Sequence, residues 1–201
     1  MKIDTGLHAR DLLDKLDHFW YRSGEKIKLI DQEFNRNQGS PVFTVNGKYS
    51  TRGWTEWTQG FQYGSALLQF DACGDQFFLD YGRENTLEHM APHLSHTGVH
   101  DHGFNIVSTF GNLHRLMHEG KIQENKYERQ LYELALKVSG AVQAGRWTEI
   151  DKGGFIHSFN GPHSLFVDTI RTLRILMLSH LLGHELRGEG DQKISLLGRA
   201  I

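Results

Sequence analysis

Two aspartates, two tryptophans and a cluster of histidines are the residues whose types and spacing could do chemistry in this sequence. Asp101 lies in His100-Asp101-His102-Gly103-Phe104, at the opening of one apolar stretch, and Asp168 lies in the first turns of another, after Gly161-Pro162-His163. Trp54 and Trp57 stand at the start of a third. Two carboxylates whose surroundings separate their pKa values can serve as general acid and base. Indole rings offer a flat apolar face to a pyranose ring, and helix N-termini favour an anionic group. The combination suits an anionic sugar. Each residue also has a plainer use. An aspartate at a helix start caps the helix, and tryptophans fill cores and rims. Arg171 and Arg174, set deep in an apolar helix, need partners, and Asp168 three residues before Arg171 could be one.

Thirteen histidines invite a metal reading, because seven of them (His89, His93, His96, His100, His102, His114 and His118) crowd one stretch. His96, His100 and His102, with Asp101 or Glu88 nearby, are the zinc alternative. Neighbours at i and i+2 seldom face one point on a helix, and no His-Glu-x-x-His spacing occurs. No metal and no cofactor are therefore expected, and most of these histidines are read as surface or capping groups.

Something must bring these residues together, and the pattern points to helices. The first 35 residues read as one or two helices, with Asp4 or Thr5 as cap and Leu7, Leu12, Leu13, Leu16, Phe19 and Trp20 at helical spacing. Asn46-Gly47 between short apolar stretches predicts a small β-hairpin near residues 42–50. Apolar helices are expected over roughly 57–72, 103–118 and 164–182. Amphipathic helices open at Phe77 and at Glu124-Asn125, the latter with Leu131, Leu134, Val138 and Val142 on one face, and a further helix opens at Lys193. Gly-Asp-Gln punctuates the chain at 74–76 and again at 190–192, which sets a repeat of about 58 residues, one helical hairpin. Helices apolar all round are inner, and amphipathic ones cover them. The expectation is a single all-α domain over 1–201, an α/α hairpin solenoid or toroid. About three hairpins and the start of a fourth are present, so the array looks incomplete. Inner helices of successive hairpins run parallel, which gives Trp57, Asp101 and Asp168 one mouth. An open edge of inner-helix leucines predicts self-association.

Composition narrows the function. Among 201 residues, 22 Lys+Arg against 24 Asp+Glu leave a net charge of −2, without the basic excess of a nucleic-acid binder. A 38% hydrophobic share with 22 glycines is ordinary for a globular chain. Cys73, the one cysteine, has no partner for an internal disulfide. No signal core opens the sequence and no apolar run approaches a membrane span, so a cytoplasmic protein with no membrane partner is expected.

Trp57-Thr58-Gln59-Gly60-Phe61…Gly64 with Gly74-Asp75-Gln76, then His100-Asp101-His102-Gly103-Phe104, then Val167-Asp168-Thr169-Ile170…Leu173 resemble, in order, the unsaturated glucuronyl hydrolases. Those enzymes belong to the six-hairpin (α/α)6 toroid glycosidases, and the likeness covers about Trp54 to Leu186, in the N-terminal half of such a toroid. The resemblance implies a substrate, an oligosaccharide left by a polysaccharide lyase with a terminal uronic acid carrying a C4=C5 enol ether. It implies Asp168 as general acid/base, Asp101 binding the ring and assisting, His100 contacting substrate and Trp57 stacking, with Trp54 beside it. No metal and no covalent intermediate are needed, unlike the two-carboxylate routes of ordinary glycosidases. Arg171-Thr172-Leu173-Arg174 departs from the family, which tends to carry small or amide residues and a proline there, and leucine is commoner than His102 after the first aspartate. The family's carboxylate clamp lies mainly in its second half. A noncatalytic α/α carbohydrate-binding scaffold and a His-rich metal hydrolase are the two alternatives.

Overall fold

A computed structural model of the chain describes residues 5–53 and 56–201. Trp54 and Asp4 lie outside the described residues. The chain is mostly helical, and its class is all-α. The first helix, α1 (Leu13–Glu33), starts later than Thr5 would have placed it, after a single tight turn, Ala9–Leu12, where the His8 N–H donates to Asp11 Oδ2 at 2.8 Å. Its first half carries Leu13, Leu16 and Phe19 exposed; its second half packs on the next helix, with Gly24 and Ile27 buried. Strands β1 (Phe43–Val45) and β2 (Lys48–Ser50) form the expected hairpin. Asn46 (φ 50°) and Gly47 (φ 76°) supply the two left-handed residues that such a turn needs.

Helix α2 (Gln59–Cys73) buries Tyr63, Ala66 and Leu67 and ends on Gly74, whose N–H bonds to the Phe70 carbonyl at 2.8 Å. Asp75 then caps α3 (Gln76–His89) by accepting from the Phe77 N–H at 3.0 Å. A short α4 (Ala91–Leu94) leads to the second rod. That rod is α5 (His102–Ile106), a π turn over Val107–Gly111 and α6 (Asn112–His118), where the sequence predicts one helix. Helix α7 (Lys126–Gly145) is capped by Asn125, whose Oδ1 accepts from the Tyr127 and Glu128 amides. A β-hairpin that sequence reading missed follows, β3 (Trp147–Ile150) with β4 (Gly153–Ile156). The third rod is α8 (Thr169–Thr172) and α9 (Arg174–Leu181), and the chain then forms β5 (Leu186–Arg187) and β6 (Lys193–Ile194). The rods α2, α5–α6 and α8–α9 are successive neighbours, α3 and α7 pack against them, and Tyr63, Leu67, Leu113, Leu116, Tyr132, Ile175 and Leu176 form the core between. No helix among the described residues is long and apolar enough to cross a membrane.

Four expectations about these elements fail for physical reasons. The third rod begins at Thr169 rather than near 164, because Ser158 ties the chain before it into a loop: the Ser158 N–H donates to the Ser164 carbonyl at 2.8 Å and the Phe166 N–H to Ser158 Oγ at 2.9 Å. No helix opens at Lys193. Gly190 (φ 61°) and Asp191 (φ 59°) are both left-handed, the Gly188 N–H reaches the Gln192 carbonyl at 2.8 Å, and the segment turns back as a hairpin. Finally, α7 buries Tyr132, Leu136, Ser139, Gly140 and Gln143, and leaves Leu131, Leu134 and Val138 exposed. Small residues decide that orientation. A Cβ on Gly140 would lie 2.0 Å from Ser179 Oγ, and that hydroxyl donates to the Leu136 carbonyl at 2.6 Å, so α9 comes closer here than a larger residue would allow. The third rod itself is not buried on all sides: Ile170, Met177 and Leu181 are exposed.

Candidate active site

The N-terminal ends of the three rods are stitched together by glycines. The Gly60 N–H donates to Asn105 Oδ1 at 2.9 Å, and a Cβ on Gly60 would stand 2.3 Å from Asn105 Cα. The Gly103 N–H donates to Thr172 Oγ1 at 2.9 Å, and a Cβ on Gly103 would stand 2.4 Å from Thr172 Cα. The Thr172 hydroxyl donates in turn to the His100 carbonyl. These contacts bring the start of α5 against α8, so that residues 101 and 168 share one opening. A cavity of about 750 Å³ lies there, walled by Trp57, His100, Asp101 and Asp168 together with His93, His96, Asn105 and Phe159.

Neither aspartate caps its helix, although each stands at a cap position. Both carboxyls point at His100. Asp168 Oδ1 is 3.3 Å from His100 Nε2 and Asp101 Oδ1 is 3.9 Å from it, and one donor atom from each residue falls within 4.8 Å of the others. The surroundings differ. The side chain of Asp101 is 10% exposed, whereas that of Asp168 is 45% exposed. Burial pushes the Asp101 carboxyl above the usual carboxylate range and the neighbouring Asp168 adds to this, while His100, Arg146 and His96 oppose it. His100 is 1% exposed, and its ring lies nearly parallel to Phe159 with centroids 6.3 Å apart. Its Nδ1 is buried with no hydrogen-bond partner among the described residues. Whenever Asp168 is ionised its oxygens only accept, and the His100 proton then lies on Nε2.

Trp57 is 44% exposed, the open part of an aromatic group with Phe61 and Phe104, each 6.2 Å away between ring centres. Arg171 and Arg174 are exposed rather than deep, and the Arg171 guanidinium lies over the Phe104 ring at 5.3 Å and the Phe61 ring at 5.9 Å. Among the described residues no ion pair joins Arg171 to Asp168, so the structural rival for that carboxylate falls away.

Of the seven clustered histidines, His93, His100 and His102 are buried; His89, His96, His114 and His118 are at least partly exposed. His102 uses both nitrogens, Nε2–H donating to the His96 carbonyl at 3.0 Å and Nδ1 accepting from Ser139 Oγ at 2.7 Å. It therefore has no lone pair for zinc, and the set His96, His100 and His102 is not a metal site. His93 accepts at Nδ1 from Asn105 Nδ2 at 3.0 Å and donates from Nε2 to Gln59 Oε1 at 2.8 Å. Burial pushes both His93 and His102 down to about 4, so both are neutral at pH 7. The donors of His100, Asp101 and Asp168 are close enough for a small cation. A histidine that binds one, however, normally donates its other ring N–H to an acceptor, and His100 Nδ1 has none. The donor set fits a shared proton better than an ion.

His93, Asn105 and Phe159 were missed as wall residues. The crowding of histidines was a signal for the first; Asn105 and Phe159 carried none. Comparison with models of known families, with curated proteins and with solved structures gives no match. Function must be read from the site.

Proposed function

We propose that the cavity hydrates the C4=C5 enol ether of an unsaturated uronic acid at the end of an oligosaccharide, making the protein a glycoside hydrolase built as part of an α/α toroid. The observation that carries this reading is the pair of unequally buried carboxyls, Asp101 and Asp168, meeting at one histidine beside an exposed indole. Trp57 supports the sugar ring. Asp168, open to solvent, donates a proton to C4 and takes one from the water that adds to C5; the positive charge that develops at C5 is shared with the ring oxygen. Asp101, which burial keeps protonated to higher pH, donates a hydrogen bond to a sugar oxygen, and His100 Nε2–H holds the ionised Asp168 between proton transfers. The C5 hemiketal opens to a ketone, the C1 hemiacetal collapses to an aldehyde, and the rest of the oligosaccharide leaves as an alcohol. The motif resemblance supports the same assignment of roles.

The test is the ultraviolet absorbance of an unsaturated uronyl disaccharide, which turnover bleaches. Asp168→Asn is expected to slow bleaching about 10²- to 10⁴-fold, the usual size of a general acid/base contribution. Full activity in that variant rejects the role. Binding of the disaccharide without bleaching by the unaltered chain would instead select the carbohydrate-binding scaffold.

A further inference from the structure

Arg146 stands behind the cavity rather than on its wall. It ends α7, is 6% exposed and makes no ion pair among the described residues. Its guanidinium is used on main-chain oxygens: the two Nη atoms donate to the Thr97 and Ser158 carbonyls, and Nε donates to the His157 carbonyl at 3.1 Å. Burying a cation without a carboxylate is costly, and three carbonyls arranged around one planar fork offset that cost. The carbonyls belong to two segments far apart in the chain. After Thr97 come Gly98 and Val99, both on the cavity wall, and then His100-Asp101. After Ser158 comes Phe159, which lies against the His100 ring. Ser158 also passes the constraint onward, since its Oγ accepts from the Phe166 N–H at 2.9 Å and pairs with Thr169 Oγ1 at 3.3 Å, on either side of Asp168.

We propose that Arg146 is a positioning residue: by holding these three carbonyls it sets the spacing of the Asp101 and Asp168 carboxyls and seats Phe159 on His100. This rests on the reading of the cavity as an active site. Its charge acts on Asp101 without touching it. The other charged or titratable groups that bear on Asp101 are His100, Asp168 and His96, and Arg146 opposes the effect of burial. Lysine would keep the charge but cannot fork to three carbonyls.

Arg146→Lys and Arg146→Met, made in the full chain, separate geometry from charge. Titration of ¹³C-labelled aspartate by NMR is expected to move Asp101 upward by about half a pH unit or more in Arg146→Met, as removal of a nearby cation requires, and to leave it close to the unaltered value in Arg146→Lys. Amide exchange at Ser158 and Phe166 is expected to quicken at least about tenfold in both variants. With the unsaturated disaccharide, Arg146→Lys is expected to lower kcat more than it raises KM, since misplaced groups cost rate rather than binding. A folded Arg146→Met with Asp101 unshifted, or a folded Arg146→Lys with unaltered exchange at both amides, overturns the proposal. If Arg146→Met does not fold, the exchange of Arg146→Lys decides alone. Absence of turnover in the unaltered chain would reject the uronyl reading while the titration and exchange still test Arg146.

Discussion

The mouth of the rods and the outer side of α7 are inverted with respect to one another. At the mouth His100, Asp101, His102 and Thr172 are buried. Along α7, Tyr127, Leu131, Leu134 and Val138 stand exposed at helical spacing. Hydropathy alone would exchange the two. Close backbone approach and hydrogen bonding decide otherwise: Gly103 against Thr172 and Gly140 against Ser179 bring main chains together, and the Thr172 and Ser179 hydroxyls they enclose find partners in the gap. A bonded polar group is tolerable inside. A leucine on the far side of the helix that makes those contacts has nowhere to go but outward.

The largest expected effect strikes the buried polar side. His93 and His102 titrate at about 4 in the folded chain against an ordinary 6.5, so between those values the unfolded chain binds more protons. Stability is then full above pH 6.5 and falls as pH drops toward 4, by at most about 3 kcal/mol for each histidine. Asp101 acts in the opposite direction, since its folded carboxyl keeps a proton above the unfolded value and gains on acidification. Urea unfolding at steps from pH 7 to pH 4.5 measures the balance, and stability that rises steadily toward pH 4.5 would contradict the contribution of the two histidines. Gly103→Ala tests close approach directly. Its methyl would meet the Thr172 Cα and the Arg171 carbonyl, backbone atoms that cannot rotate away, and a loss of about 2–3 kcal/mol is expected, with the two carboxyls driven apart. An unchanged urea midpoint would contradict the contact. The smallest effect belongs to the exposed stripe. Leu131→Lys with Leu134→Lys is expected to change stability by no more than about 0.5 kcal/mol per site. Sedimentation should show less self-association than the unaltered chain; if both sediment alike, the stripe carries no association.

How far the site was legible follows from the same contrast. The starts of three apolar stretches can be read along the chain, so the meeting of Trp57, Asp101 and Asp168 at one cavity was within reach of pattern and parallel packing. That the aspartates would turn from their own helix amides toward His100 was not, because a capping aspartate and an uncapped one look the same in sequence. Arg146 left no signal at all: it ends an amphipathic helix and its partners are carbonyls, which every residue has. Gly74-Asp75-Gln76 and Gly190-Asp191-Gln192 make the point within three residues. In the first, a left-handed glycine ends α2 and an extended aspartate caps α3; in the second, glycine and aspartate are both left-handed and reverse the chain into a hairpin.

The order of residues alone determined which stretches would be apolar rods, where the Asn46-Gly47 turn would fall, and that acidic groups and an indole would stand at the rods' beginnings, because these depend on local backbone preference and periodicity. Tertiary structure decided which face of α7 went inside, where the third rod began, which histidines lost their water and which carboxyl holds its proton more tightly. Those outcomes depend on how closely two main chains can approach and on which distant carbonyl or hydroxyl is there to receive a hydrogen bond, and neither quantity is a property of any one segment.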